Sequence, residues 1–326
     1  MPVPTRTETL DDLYTTTLNN RIKGGLTDQI FNASPTIKEL LSRGGMQFES
    51  RGGRYLEVDL AYAKNETVTS IGRGSTVSLS ETKFMTVAQY TWKYVAGSII
   101  RYFTDDAQNK SVSAHINLAN KKVDNLRDSI TDYLEERLYN SDGTGNGDLD
   151  IDGFVNIIDA TPTTARTVAN IAQTTYTWWQ NRLKTSSGAA SVYLVSDMRN
   201  LANTCSEGQT RSFPDILCTT QTVSELYDDE VLEQRQIVNQ STGDAEFMKT
   251  YWKGIPLVWS AQCPSGVMFF LNSKYCGFVT DPDVNMTPTA WKPIPNQVED
   301  RVQQIVWKGN FVAKRRKSLG RLTAIA

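Results

Sequence analysis

Residues 141–159 read SDGTGNGDLDIDGFVNIID, and the fold turns on what this stretch is. Asp148, Asp150 and Asp152 alternate, Gly153 follows, Val155 is apolar, and a carboxylate returns at Asp159. That is the spacing of a helix–loop–helix calcium loop, with Asp standing where the last ligand is normally a bidentate Glu. A calcium loop also follows directly on its entering helix, whereas SDGTGNG separates Asp148 from the helical region before it. The four aspartates are therefore weak metal candidates, and no cofactor is expected. A solvated connection between two parts of the chain fits better, because Asp and Gly favour turns and like charges cost little in water. Four glycines in residues 141–153 make this the clearest boundary in the sequence.

Upstream, Val112, Ile116, Ala119, Val123, Leu126, Ile130, Tyr133 and Leu138 recur mostly three and four residues apart, with charged residues between them. That spacing predicts a rod-like helix ending near Asn140, roughly 45 Å long at about 1.5 Å per residue. His115, the only histidine, falls at the edge of this stripe, so no Ser-His-Asp or Cys-His device is expected.

Further upstream the pattern switches to period two. RYLEVDLAY (54–62) points Leu56, Val58, Leu60 and Tyr62 one way and Glu57 and Asp59 the other. KFMTVAQYTWKYVAG (83–97) is a second strand candidate, with Phe84, Tyr90, Trp92 and Tyr94 on a common face. The polar stretch between them implies a long hairpin with a flexible tip. A two-stranded ribbon is marginal alone in water. Its aromatic face is therefore expected to be covered by another copy of the chain. Before it come a short helix, PTIKELLS, stopped by Gly44-Gly45, and a polar, arm-like stretch over residues 1–33.

Downstream of the boundary, helices and strands interleave. Ser196 is expected to cap DMRNLANTCSE, and Thr222 with Glu225 to box SELYDDEVLEQR. DILCTTQ, GIPLVWS and VMFFLNSKY read as strands, giving an α/β unit to about residue 282. The tail returns to β character in VQQIVWKGNFVA, with a turn or bulge expected at Lys308-Gly309-Asn310, and is expected to pack on the long helix.

Composition excludes much. With 39% hydrophobic and 21% charged residues and a net charge of −2, this is an ordinary globular chain, unsuited to gripping nucleic acid over its whole surface. Basic residues do crowd the end (Lys308, Lys314, Arg315, Arg316, Lys317, Arg321), as a solvated face or salt bridges to a neighbouring chain, with direct contact to packed nucleic acid as the alternative. Cys205, Cys218, Cys263 and Cys276 contain no CxxC pair, and they read as reduced, buried thiols. No apolar run is long enough for a membrane helix, no secretory signal is visible, and no nucleophile-elbow, P-loop, HExxH or dinucleotide fingerprint occurs.

The order of parts resembles the major capsid proteins of tailed bacteriophages, the Hong Kong 97-type shell fold. DGFVNIID after the helix, TWWQN (177–181), PDILCTTQ (214–221), YWKGIPLVW (251–259) and FFLNSKY (269–275) carry the likeness. WKPIPNQ (291–297), QIVWKGNFV (304–312) and RRKSLGRLTAI (315–325) continue it in the same order. It covers the chain from about residue 27 onward.

The resemblance implies an α+β fold with an N-terminal arm (1–50), an extended β-hairpin loop (51–95) and an axial α/β domain (151–282). A peripheral domain would take 96–150 and 283–326, with its spine helix at 104–140. It implies a non-enzymatic structural protein forming hexamers and pentamers of an icosahedral head around double-stranded DNA, bound without sequence specificity. The expected site is the virion, after assembly in host cytoplasm. Further expected partners are a separate scaffolding protein, since no fused scaffold is evident, then a portal, with room for cementing proteins; no membrane is involved. The candidates for contact between subunits are Phe84, Tyr90, Trp92, Tyr94, Arg315 and Arg316. Bacterial nanocompartment (encapsulin-like) shells share the architecture and form the alternative, distinguished by a helical, cargo-binding N-terminal region; a calcium-binding protein using 148–159 is the remote one.

Overall fold

A computed structural model describes residues 34–48, 53–104, 118–234, 250–297 and 299–326. The polar arm over 1–33, His115 and the expected start of the long helix lie outside the described residues.

Helix α1 (Pro35–Ser42) begins on a proline, where a missing amide costs nothing, and leads into strand β1 (Met46–Phe48). Strands β2 (Tyr55–Ala61) and β3 (Met85–Thr91) form an antiparallel ribbon, with Tyr55 opposite Thr91 and Ala61 opposite Met85. Alternation sorts its two faces. Leu56, Leu60, Ala88 and Tyr90 are buried, while Glu57 and Asp59 face out. The intervening residues 62–84 contain only turns and are mostly exposed.

Strand β4 (Lys93–Arg101) leaves the ribbon and pairs along its whole length with β14 (Arg301–Ala313). The other edge of β14 takes β12 (Cys276–Pro288), to which β1 adds in parallel, and β13 (Lys292–Pro293). Helix α2 (Leu118–Asn140) lies against β4 and β14 of this five-stranded sheet, with Ile130, Leu134, Leu138 and Tyr139 buried in the core. Gly97 of β4 makes the approach possible, because a Cβ there would run into the Leu126 side chain.

The second sheet has the order β7 (Arg182–Thr185), β15 (Gly320–Thr323), β11 (Met268–Leu271), β8 (Ile216–Thr219), β10 (Ile255–Trp259), β9 (Thr250–Trp252). Helices α3 (Ala190–Ser206) and α4 (Gln221–Gln234) accompany it, and a core built on Met198, Leu201, Leu217 and Phe270 fills the space beneath α3. The opposite face, with Cys218, Phe269 and Leu271, joins the main core. Strands β8 and β11 are consequently buried at every position. A small hairpin, β5 (Thr167–Val168) and β6 (Ile171–Ala172), leans on the ribbon, with the Gln89 amide donating to the Ala169 carbonyl at 3.0 Å.

Four local expectations are corrected. Helix α3 starts at Ala190, whose amide donates to the carbonyl of Ala326 at 2.9 Å. Ser196 is thus an interior residue donating to the Tyr193 carbonyl. Helix α4 is capped by Thr220, whose hydroxyl accepts from the Val223 amide at 3.5 Å, and not by Thr222. Lys308-Gly309-Asn310 is no turn, since β14 runs through it with partners on both sides; the register shifts fall on β12, at Thr280–Thr287. The tail, finally, does not stay in one sheet. β14 completes the five-stranded sheet under α2, but β15 crosses into the second sheet, between β7 and β11.

Candidate assembly surface

The acidic stretch that suggested a metal is a structural junction. Gly153 sits against the end of α2, where a Cβ would meet the carbonyl oxygens of Arg137, Ser141 and Leu138 at 2.5–2.8 Å. Only a glycine allows that approach. It delivers Phe154 into the core, with ring centroids 5.2 Å from Tyr139, 5.0 Å from Phe269 and 5.5 Å from Phe311. The stretch is therefore not a solvated connection: Ile151, Phe154, Ile157 and Ile158 are fully enclosed.

Nor do its carboxylates converge on an ion. Asp150 accepts from Tyr133 at 3.1 Å and Asn146 at 2.7 Å, with Arg137 at 3.5 Å. Asp152 accepts from Asn310 and Asn156, both at 2.6 Å; burial raises its pKa against those two bonds. Burial also pushes Asp159 up, but Gln173, the Thr161 amide and Arg166 outweigh it and hold the carboxyl below its ordinary value. Asp148 is exposed, and its carbonyl, with that of Gly143 at 3.2 Å, accepts from the Lys93 ammonium. Among the described residues no cluster of three metal-ligating side chains occurs. The positive charge in this loop is supplied by lysine and arginine, so the calcium reading is corrected.

The four aromatics do not share one face, because the chain turns at Trp92 from the ribbon into the sheet. Tyr90 is enclosed within its own subunit: its hydroxyl donates to the Ala313 carbonyl at 2.9 Å, and burial raises its pKa strongly. Trp92 is half-buried beneath the Lys308 ammonium, 4.4 Å from the ring centroid. Phe84 (51% exposed) and Tyr94 (61%) are open to a partner. Tyr90 is withdrawn as a contact candidate.

Arg316 is withdrawn as well. It is wholly buried, donating to the carbonyls of Ile157 (2.7 Å) and Trp179 (3.0 Å) and to the side chains of Gln173 and Asn181. Burial lowers its pKa to about 10. Arg315 and Lys317 flank it outside and both reach Glu207, where Arg182 also pairs. Lys308 pairs with Asp281 at 2.6 Å, and Arg321 lies over Phe269. The basic tail is thus largely occupied within its own chain.

Among the described residues, the loop and a groove are uncovered, as are single side chains such as Val192, Tyr251 and Trp259. Val68, Ile71, Val77 and Leu79 stand out from residues 62–84, Leu79 at 98% exposure. Period-based reading passed over them, because isolated apolar residues in a polar stretch set no pattern. At the loop's root Tyr62 stacks on Trp178 at 5.1 Å, and the Tyr62 amide donates to the Phe84 carbonyl at 2.9 Å. A groove of about 410 Å³ runs between α2 and β4, rimmed by exposed Tyr94 and Leu149 and floored by Leu126 and Ile130. Tyr94 was a contact candidate from the sequence, whereas Leu149, an apolar residue inside the acidic turn, was passed over. All four cysteines are free and buried; burial pushes Cys205 and Cys218 up to about 12, so they are inert thiols. Among the described residues no helix is long and apolar enough to cross a membrane.

No family model matches the chain, and no curated protein matches it in sequence. Solved structures do. The capsid of cyanophage A-1(L) is similar over 94% of this chain and 96% of its own, at 15% identity and a TM-score of 0.66. The capsid of Myoviridae phage XM1 is similar over 99% and 100%, at 10% identity and 0.59. The SrpI encapsulin of Synechococcus elongatus PCC 7942 is similar over 93% and 92%, at 10% identity and 0.58. From near one end to near the other, this chain has the α+β fold of tailed-phage capsid subunits, shared with an encapsulin shell.

Proposed function

We propose that the protein is the major capsid protein of a tailed bacteriophage, assembling with copies of itself into the hexamers and pentamers of an icosahedral head that encloses double-stranded DNA. The full-length likeness to phage capsid subunits carries this reading, since shell fold and shell protein coincide over the whole chain. In Hong Kong 97 terms, residues 1–50 act as the arm, 51–95 as the extended loop and α2 as the spine helix. The sheet of β1, β4, β12, β13 and β14 is the peripheral domain, and the six-stranded sheet with its helices is the axial one. Its function is assembly, with no catalytic step, and its place is the virion.

The exposed loop supports the mechanism. Its apolar residues find no cover among the described residues of their own subunit, so the loop lies on a neighbour and buries Leu79, Val77 and Phe84 there. A few hundred Å² of apolar surface gives several kcal/mol at about 25 cal/mol per Å², before ordering costs. Many such modest contacts close a shell while leaving misplaced subunits free to depart.

The root permits a clean test. Tyr62 and Phe84 are already bonded across the ribbon, so a short Asn-Gly turn can replace residues 63–83 without disturbing β2 and β3. In electron micrographs the intact chain is expected to form closed particles and the shortened one only free subunits or capsomers. Normal particles from the shortened chain would discard the loop's role. The encapsulin likeness favours a second reading, a nanocompartment shell, and particles holding protein cargo and no DNA would establish it.

A further inference from the structure

One end of the six-stranded sheet is basic. The pairing registers bring together the starts of β7 and β15, the end of β11, the start of β8 and the tight turn from β9 to β10. Arg182 opens β7, and Arg315 and Lys317 precede β15. Lys274 follows β11, Arg211 precedes β8, and Lys253 occupies the turn. Contacts knit these pieces into one surface. The Asn272 side chain donates to the Phe213 carbonyl at 2.7 Å, and the Phe213 ring stacks on Trp252. Arg315 donates to the Ser212 hydroxyl at 2.7 Å.

The charges there do not balance. Glu207, just past the end of α3, meets Arg182, Arg315 at 3.1 Å and Lys317 at 3.6 Å, so one carboxylate answers three cations. All four side chains are 28–33% exposed, which leaves them within reach of a further anion. Asp215, the second carboxylate in contact with this end, accepts from the Ser273 amide at 2.9 Å and from the Ser273 hydroxyl. Arg211, Lys253 and Lys274 are exposed and join no ion pair among the described residues. Cations therefore outnumber carboxylates at this end, in a chain whose net charge is −2.

We propose that this end of the sheet binds the phosphate backbone of double-stranded nucleic acid, without reading its sequence. Neighbouring strands lie about 4.8 Å apart, so the six strand ends form a ridge about 24 Å long, or about two-thirds of a duplex turn. A duplex presents one charge per about 1.7 Å of its axis, a regular array that a row of long cationic side chains can follow. The Lys253 ammonium lies over the Trp252 ring at 5.0 Å and the Arg315 guanidinium over Tyr275 at 5.6 Å, so two of the cations are steadied from below. The site deepens the proposed function by naming a surface for the enclosed DNA, and it rests on that reading for its setting.

The test is binding of a labelled duplex of about 20 base pairs by the purified chain, read by fluorescence anisotropy between about 50 and 200 mM salt. Affinity is expected to fall steeply with salt and to be equal for two unrelated sequences. Lys253→Gln and Lys274→Gln alter exposed, unpaired side chains, so the fold stays intact. Each is expected to weaken binding by up to about tenfold at about 50 mM salt and to reduce the slope of log affinity against log salt by about one. Glu207→Gln removes the competing carboxylate and is expected to tighten binding severalfold, whereas Lys121→Gln, on α2, changes nothing. No binding at low salt, undiminished binding in both lysine variants, no gain in a Glu207→Gln chain of unchanged melting temperature, or equal affinity for polyglutamate of matching charge would each overturn the site. Particles are scored separately. DNA-filled particles from a chain that fails these assays leave the proposed function standing, and duplex binding by a chain that closes no particle leaves the site standing without it.

Discussion

Arg316 shows what a residue can hide from its sequence. In KRRKS it is one cation in a basic run, with nothing to separate it from Arg315 or Lys317. In the fold it fills the gap between the Phe154 turn and the Trp179 turn, where the carbonyls of Ile157 and Trp179 have few other partners. Arg316→Ala is expected to destabilise the chain by about 3–5 kcal/mol, because it strips a buried network of its donor. Arg316→Lys restores the charge without the planar fork and is expected to recover only part of the loss. Urea denaturation checks both, and an unchanged midpoint in Arg316→Ala would refute the role. The acidic stretch makes the complementary case. Its spacing was legible, but its partners Lys93 and Asn310 come from distant parts of the chain. Since Asn310, Arg137 and Arg166 meet the carboxylates and Lys93 the loop carbonyls, excess chelator is expected to leave the melting temperature unchanged, whereas Lys93→Met should lower it.

At the scale of elements, local pattern revealed most of the skeleton. The period-two run became β2, the three-and-four stripe became α2, and DILCTTQ, GIPLVWS and VMFFLNSKY became β8, β10 and β11. Element ends were less legible, because they are set by remote contacts such as the Ala326 carbonyl that fixes the start of α3. Gly309 misled for a related reason. A glycine between Lys and Asn reads as a turn, but here it serves packing: a Cβ would stand 2.6 Å from the Trp307 ring and 2.7 Å from the Val279 carbonyl of the paired strand. Backbone cannot give way as a side-chain tip can, so Gly309→Ala is expected to cost about 1–3 kcal/mol. Gly72→Ala, with only Ser75 Oγ nearby at 3.6 Å, should change stability by no more than about 0.5 kcal/mol. Equal denaturation midpoints for the two variants would refute the packing account.

For the whole molecule, the ordered succession of strings anticipated the fold, while the path of the tail stayed hidden until the strands were paired. That path decides whether the unit expected over 151–282 can exist alone. Its sheet contains β15, built from residues 320–323, between β7 and β11. Without β15, Met268 and Phe270 lose the strand beside them, and β7, which is paired in that sheet only to β15, has nothing left to hold it. The other face of the sheet belongs to a core that includes Tyr139, next to Phe269, and Phe311, next to Phe154, both of which lie outside the fragment. A chain of residues 151–282 is therefore expected to remain unfolded or aggregate, with poorly dispersed amide resonances. Fusing residues 314–326 to it restores the missing strand and is expected to improve folding only in part, since the Tyr139 and Phe311 side stays bare. Full dispersion from the bare fragment would mean that the sheet does not need its borrowed strand, and that the two halves of this chain are separable after all.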